Sequence, residues 1–137
     1  VLMDELPENW TYPLIQPKLI EKYLRVKNNS IIGATVTVTV DRPLGSYHPE
    51  YKDMYYPINY GYIEGVMAPD GEEQDAYILG VNEPVGKFTG KIIAIVHRKD
   101  DVEEKWVVVP DGMMFSKDEI RQQIYFQEQY FDSEIVM

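Results

Sequence analysis

From Thr35 to Val40 the chain alternates in steps of two, with Val36, Val38 and Val40 set between Thr35, Thr37 and Thr39. β-Branched residues at that period predict a strand with one face buried and the other in water. Upstream the period is helical. Pro17 suits a first helical turn, and Ile20, Tyr23 and Leu24 follow at i, i+3 and i+4, which predicts a short amphipathic helix ending near Asn28 to Ser30. Downstream, Asp41 to Ser46 reads as a turn, and a polar loop runs on to about Asp53. A Tyr-rich strand is expected from Tyr55 to Val66, with further strands at Ala76 to Val81, Lys91 to His97 and Trp106 to Val109. Ser116-Lys117-Asp118-Glu119 is a capping box, and Ile120, Ile124 and Phe131 lie on one stripe of a closing helix. The five strands with a helix at each end predict a mainly β (α+β) fold, a small barrel in a single domain over residues 1–137.

Charge narrows the partners. Against 13 Lys and Arg stand 23 Asp and Glu, a formal net charge of -10. That field opposes nucleic acid and anionic membrane, so a polyanionic ligand needs a local cationic pocket. The chain has no cysteine, which removes disulfides, thiolate metal sites and Cys nucleophiles. No apolar run approaches the roughly 18 residues of a membrane span, and Asp4, Glu5 and Glu8 stand where a secretory signal wants basic and apolar residues. A soluble, cytoplasmic protein with no membrane or nucleic-acid partner is the expectation.

The densest chemistry lies in Asp70-Gly71-Glu72-Glu73-Gln74-Asp75. Asp70, Glu72 and Asp75 can converge their carboxylates in a turn where Gly71 permits a positive φ, and hard oxygen ligands suit Mg²⁺ or Mn²⁺. The same letters also describe an ordinary solvated hairpin tip. A second acidic group, Asp100, Asp101, Glu103 and Glu104, precedes Lys105 and the strand from Trp106. Neighbouring strands could bring that loop beside the first turn, with Lys105 as a cation for an anionic ligand; a strand-edge lysine is the plainer reading. Tyr56, Tyr60 and Tyr62 fall on one face if the strand is regular, so hydroxyls could line a pocket whose wall is built of their rings. His48 and His97 have no His or Cys at metal-ligand spacing and read as structural or surface residues. Gly80 to Lys87 lacks the P-loop spacing and has Phe88 where Ser or Thr should stand, and no Gly-x-Ser-x-Gly elbow is present.

Three blocks, Tyr56-Pro57-Ile58-Asn59-Tyr60-Gly61-Tyr62-Ile63, Asp70 to Asp75, and Lys105-Trp106-Val107-Val108-Val109-Pro110, agree in order and spacing with one family. Aligned from Val36 to Tyr130, the chain resembles the soluble family I inorganic pyrophosphatases. The resemblance implies a five-stranded OB-like barrel flanked by helices. It also implies Mg²⁺-dependent hydrolysis of pyrophosphate to two phosphates by metal-activated water, with homo-oligomeric assembly. Carried over by position, Asp70, Glu72 and Asp75 take the places of the signature acids that hold Mg²⁺, with Glu72 replacing the Asp that helps activate water. Glu103 fits a further ligand two residues before the phosphate-binding lysine, here Lys105, and Asp100 is the candidate for the other. Tyr60 and Tyr130 match substrate-side tyrosines.

The match departs at the phosphate clamp. Thr37 and Thr39 stand where the early strand carries Lys and Glu, and Phe131 stands where a lysine follows the helix tyrosine. The expected arginine before the Tyr-Pro block has Lys52 or His48 as candidates, with Arg42 able to compensate from the preceding turn. Two other readings therefore stand beside pyrophosphate hydrolysis. One is a phosphohydrolase acting on another phosphoanhydride, and the other is a catalytically weak OB-type binding module.

Overall fold

The structure, a computed structural model, describes residues 31–99 and 103–137. The chain divides into two compact units, Val1–Ile31 and Ile32–Met137. The helix expected after Pro17 lies in the first unit, outside the described residues. The strands of the second unit are β1 (Thr35–Arg42), β2 (Asn59–Met67), β3 (Glu73–Ile78), β4 (Lys87–Arg98), β5 (Glu104–Val109) and β6 (Ser133–Val136), with one helix, α1 (Lys117–Glu128), before β6.

Five of the strands close a barrel. The sheet runs β1-β2-β3-β5-β4, and β1 also pairs with the first half of β4, so each barrel strand has two neighbours. All these pairings are antiparallel except β3 with β5, which is parallel. The long β4 makes the closure possible: Lys87–Lys91 serves β1, Lys91–His97 serves β5, and Ile95–Arg98 carries the added β6. This is the expected OB-like barrel with one more strand. Ser133–Val136 escapes the periodicity because four residues hold too little pattern to register.

The alternation in β1 holds, with Val38 fully buried and Thr35 and Thr37 exposed. β2 begins at Asn59 rather than Tyr55, since Pro57 has no N–H for a ladder, and Tyr55 instead makes an isolated bridge to Tyr47. The Ser116 capping box is present, with Ser116 N donating to Glu119 Oε1 at 2.8 Å and Glu119 N to Ser116 Oγ at 3.1 Å. The helix stops at Glu128, however, so Tyr130 and Phe131 lie beyond it and not on its apolar stripe. Ile120 and Ile124 alone bury that stripe, against a core that includes Tyr77, Leu79, Val96, Val107 and Val109.

At Gly61, β1 leaves no room for a side chain on β2. A Cβ on Gly61 would sit 1.9 Å from the Thr39 carbonyl oxygen, a contact that only backbone movement could relieve. Gly61→Ala is therefore expected to lower stability by about 2–4 kcal/mol in urea unfolding. An unchanged midpoint would show that the two strands can part there without cost.

Candidate active site

Register places the first pair. Across the parallel β3–β5 contact Asp75 stands opposite Lys105, and across β2–β3 Tyr62 stands opposite Asp75 and Tyr60 opposite Tyr77. Lys105 shares the face of Val107, which points into the barrel, so its stem is buried and the residue is 3% exposed. A buried ammonium needs compensation. Lys105 Nζ donates to Asp75 Oδ2 at 2.6 Å and to Glu103 Oε1 at 2.7 Å, and lies 5.7 Å from the centroid of the Tyr60 ring.

The other oxygen of Glu103 meets a second buried cation. Arg98, the last residue of β4, donates from Nη1 to Glu103 Oε2 at 2.7 Å, and from Nε and Nη2 to Glu128 at 3.1 and 2.8 Å. Its guanidinium lies 3.6 Å from the centroid of the Phe131 ring. Glu128 closes the last turn of α1, where the helix dipole disfavours a carboxylate unless an outside cation holds it. It also accepts from Tyr77 Oη and Ser133 Oγ. From Tyr77 the bonds continue through Gln127 to the Tyr56 hydroxyl, which accepts from Arg42 Nη1 at 2.8 Å. A β-bulge between Val40 and Arg42 lets Arg42 come opposite Tyr60 and reach this point.

These groups edge a cleft of about 260 Å³, lined on one side by Arg42, Tyr60, Asp75, Arg98, Glu103 and Lys105 and on the other by His48, Tyr51 and Met54 of the β1–β2 loop. Within it, Arg42, Arg98 and Lys105 stand with the carboxylates of Asp75 and Glu103, and Glu128 holds Arg98 from outside the lining. Among the described residues Arg42 has no carboxylate at ion-pair distance, its partner being the neutral Tyr56 hydroxyl. Burial alone would lower the pKa of Lys105, but Tyr60, Asp75 and Glu103 outweigh it and hold the amine charged above its ordinary range. Burial likewise disfavours the Arg98 charge, and Glu128 reverses it. Burial raises the pKa of the Tyr60 hydroxyl, so it stays protonated.

The expected site residues separate into two groups. Arg42, Tyr60, Asp75, Glu103 and Lys105 meet at the cleft. Asp70 and Glu72 lie in the exposed β2–β3 turn, where Gly71 has φ 86° and Glu72 N donates to Asp70 Oδ1 at 2.9 Å. Tyr130 is 67% exposed beyond the helix, and Asp100 lies outside the described residues. Thr37 pairs with Thr89 through their hydroxyls at 2.7 Å, while Thr39 donates to Glu64 at 3.4 Å. Arg98, Gln127 and Glu128 join the site without having been expected there. An acid in the last turn of a helix that has no basic residue in that turn was the available signal.

As donors, the carboxylates have the hard-oxygen chemistry that Mg²⁺ or Mn²⁺ takes. The oxygens are not equally open: Asp75 Oδ2 and both Glu103 oxygens already hold protein cations, whereas Asp70 and Glu72 are exposed. Among the described residues no three His, Asp or Glu side chains are grouped closely enough to hold a metal ion. The fit is thus one of donor chemistry, at Asp75 and the turn.

A closed OB-like barrel with a charge-lined cleft under its helix defines the class of domain. The chain belongs to the inorganic pyrophosphatase family, whose sequence model matches residues 26–127. It is 28% identical over 103 residues to the inorganic pyrophosphatase of Halalkalibacterium halodurans, an overlap of 70% of this chain and 61% of that protein. The chain thus matches less than two thirds of that relative's length. In fold it is similar to the inorganic pyrophosphatases of Ehrlichia chaffeensis (TM-score 0.57, 19% identity, 75% of this chain and 85% of that one) and Neisseria gonorrhoeae (TM-score 0.55, 19% identity, 74% and 80%).

Two measurements probe the buried charges. Lys105→Met leaves Asp75 and Glu103 facing each other, and a urea titration is expected to show a loss of about 1–3 kcal/mol, moderated because both acids are partly in water. A stability equal to the parent's would mean that the ammonium contributes nothing. Glu128 supplies a pH test. Its burial raises the carboxyl pKa, but bonds from Arg98, Ser133 and Tyr77 outweigh this and hold it below the ordinary 4.5. Folded Glu128 therefore binds a proton less readily than unfolded Glu128, so its stabilisation is full above about pH 4.5 and is lost as pH falls through the folded value. Unfolding midpoints should drop below pH 4.5, and Glu128→Gln should flatten that drop; an equally steep fall in the variant would assign it to other acids.

Proposed function

We propose that this protein hydrolyses pyrophosphate to two phosphates and does so with a divalent cation, Mg²⁺ or Mn²⁺. The observation that carries the reading is the convergence of Lys105, Arg42, Tyr60 and Asp75 on one cleft in a member of the inorganic pyrophosphatase family. Asp75, with Asp70 and Glu72 of the adjoining turn, would hold the metal. Bound there, such an ion supplies charge neutralisation of phosphate oxygens and acidification of water.

The chain's own residues do the rest. Arg42, with no carboxylate at ion-pair distance among the described residues, offers its guanidinium to a phosphate oxygen. Lys105 keeps its charge beside Asp75 and Glu103 and stabilises the negative charge that a departing phosphate gains. Tyr60, protonated and at the wall of the cleft, is a neutral donor that adds no repulsion toward an anion. Glu72 is the carboxylate we assign to accept a proton from the attacking water. Tyr130 is a second phosphate-side hydroxyl in this reading, and Asp100 a further metal ligand. Three cationic side chains and two carboxylates line the cleft, and with the acids of the adjoining turn they suit a metal–phosphate complex. The absence of cysteine supports a cytoplasmic setting, and family membership supports a homo-oligomer.

A second reading, a larger phosphoanhydride as substrate, is favoured by the Tyr51 ring. It lies 66% exposed at the rim of the cleft, 4.9 Å from His48 centroid to centroid, where an organic group could stack.

The deciding assay is phosphate release from Mg²⁺-pyrophosphate with and without chelator, beside a panel of nucleoside diphosphates and triphosphates. Turnover abolished by chelator and highest with pyrophosphate is expected; turnover confined to the organic substrates would select the second reading. Glu72→Gln should lower kcat by at least about a hundredfold with KM little changed. Near-full turnover in that variant would remove Glu72 from the chemistry.

A further inference from the structure

Glu103 is held from both ends, and the group that holds its outer oxygen has no part in the proposed hydrolysis. Arg98 is 3% exposed, lines the cleft, and gives three hydrogen bonds to two carboxylates while its flat face is covered by Phe131. Few side chains are so fully committed. Lys105 takes Glu103 Oε1 and Arg98 takes Oε2, so each oxygen already accepts from a protein cation. The bidentate hold of Glu128 on Arg98 prevents the guanidinium from swinging aside, and Glu128 is itself fixed by Tyr77 and Ser133.

We propose that Arg98 is a resident cation of the cleft: with Lys105 it withdraws Glu103 from divalent ions, confines metal to the Asp75 side and keeps the Glu103 side positive toward phosphate. This rests on reading the cleft as a metal–phosphate site. A metal arriving at Glu103 would have to displace two charge-assisted hydrogen bonds and approach two fixed positive charges. A phosphate oxygen arriving there meets the opposite field. Arg98 is accordingly a positioning residue that acts through Glu103, and its effect on cations and on anions must have opposite signs.

That opposition is the test. Mn²⁺ binding and inorganic phosphate binding are measured separately by calorimetry on the full chain, with folding checked by circular dichroism. Arg98→Met should bind an additional Mn²⁺ equivalent, or bind Mn²⁺ about tenfold tighter, while binding phosphate several-fold more weakly. Arg98→Lys should restore both values toward the parent's. A merely structural Arg98 would move both affinities down together or leave both unchanged, and either result overturns the inference. Should Arg98→Met fail to fold, Glu103→Gln decides: its side chain is 26% exposed and an amide of the same size can replace it. An unchanged number of Mn²⁺ equivalents supports the inference, and loss of one overturns it by making Glu103 a ligand. Phosphate release from Mg²⁺-pyrophosphate by the unaltered protein is scored alongside. Turnover without the opposed shifts removes the Arg98 assignment alone, whereas the shifts without turnover remove the hydrolase reading and leave Arg98 in place.

Discussion

A guanidinium taken out of water must be surrounded by acceptors, and the surroundings of Arg98 organise this end of the barrel. One acceptor comes from the start of β5 and the other from the last turn of α1, so the ion pairs tie the ends of β4, β5 and the helix to one point. Ser133 at the start of β6 is drawn in through the same Glu128. Removing Arg98 would leave the buried Glu128 carboxylate without its cation, which costs more than the intact pair contributes. The cleft is therefore a preorganised object, its side chains fixed by one another before any ligand arrives.

Topology explains why the fixed charges face a single cavity. The antiparallel neighbour of Lys105 is β4, the strand that precedes β5 in the chain. The one parallel contact, β3 against β5, instead sets Asp75 beside Lys105 after a long excursion through β4. The bulge in β1 turns Arg42 toward Tyr56 at the other rim. Between them, Tyr56, Gln127 and Tyr77 carry an unbroken run of hydrogen bonds across the base of the helix. Neutral groups in the middle and charged groups at the ends let the barrel bury polar atoms without burying unpaired charge.

Much of this was legible residue by residue, and little of it as pairs. Val36 to Val40 announces β1 because a half-buried strand needs its period of two, and Ser116 with Glu119 announces the start of α1 because orphan amides need acceptors. The end of the same helix is less readable. Phe131 continues the apolar stripe by spacing, but the chain leaves the helix after Glu128 and uses Phe131 to cover Arg98. β6 stays hidden because its pairing with β4 is a long-range contact with no local signature. At the site, Asp75 and Lys105 emerge from matching blocks of sequence. Arg98 and Glu128 do not, since each looks like a surface charge until the fold brings them within 2.8 Å.

The cleft also bears on how an acidic chain can take a polyanion. With a net charge of -10, long-range attraction is unavailable to it, but within the cleft Arg42, Arg98 and Lys105 outnumber the carboxylates of Asp75 and Glu103. Selectivity must then come from position. Arg42 and Lys105 line the cleft, whereas Asp70 and Glu72 lie in the exposed β2–β3 turn. In the proposed reading, a ligand that carries its own cation satisfies both at once, with phosphate oxygens toward the arginine and lysine and metal toward the acids. A bare phosphate would satisfy only the cations and a free metal only the acids. In the proposed reading, the site favours the metal–phosphate complex over either component by the position of its charges rather than by the net charge of the chain.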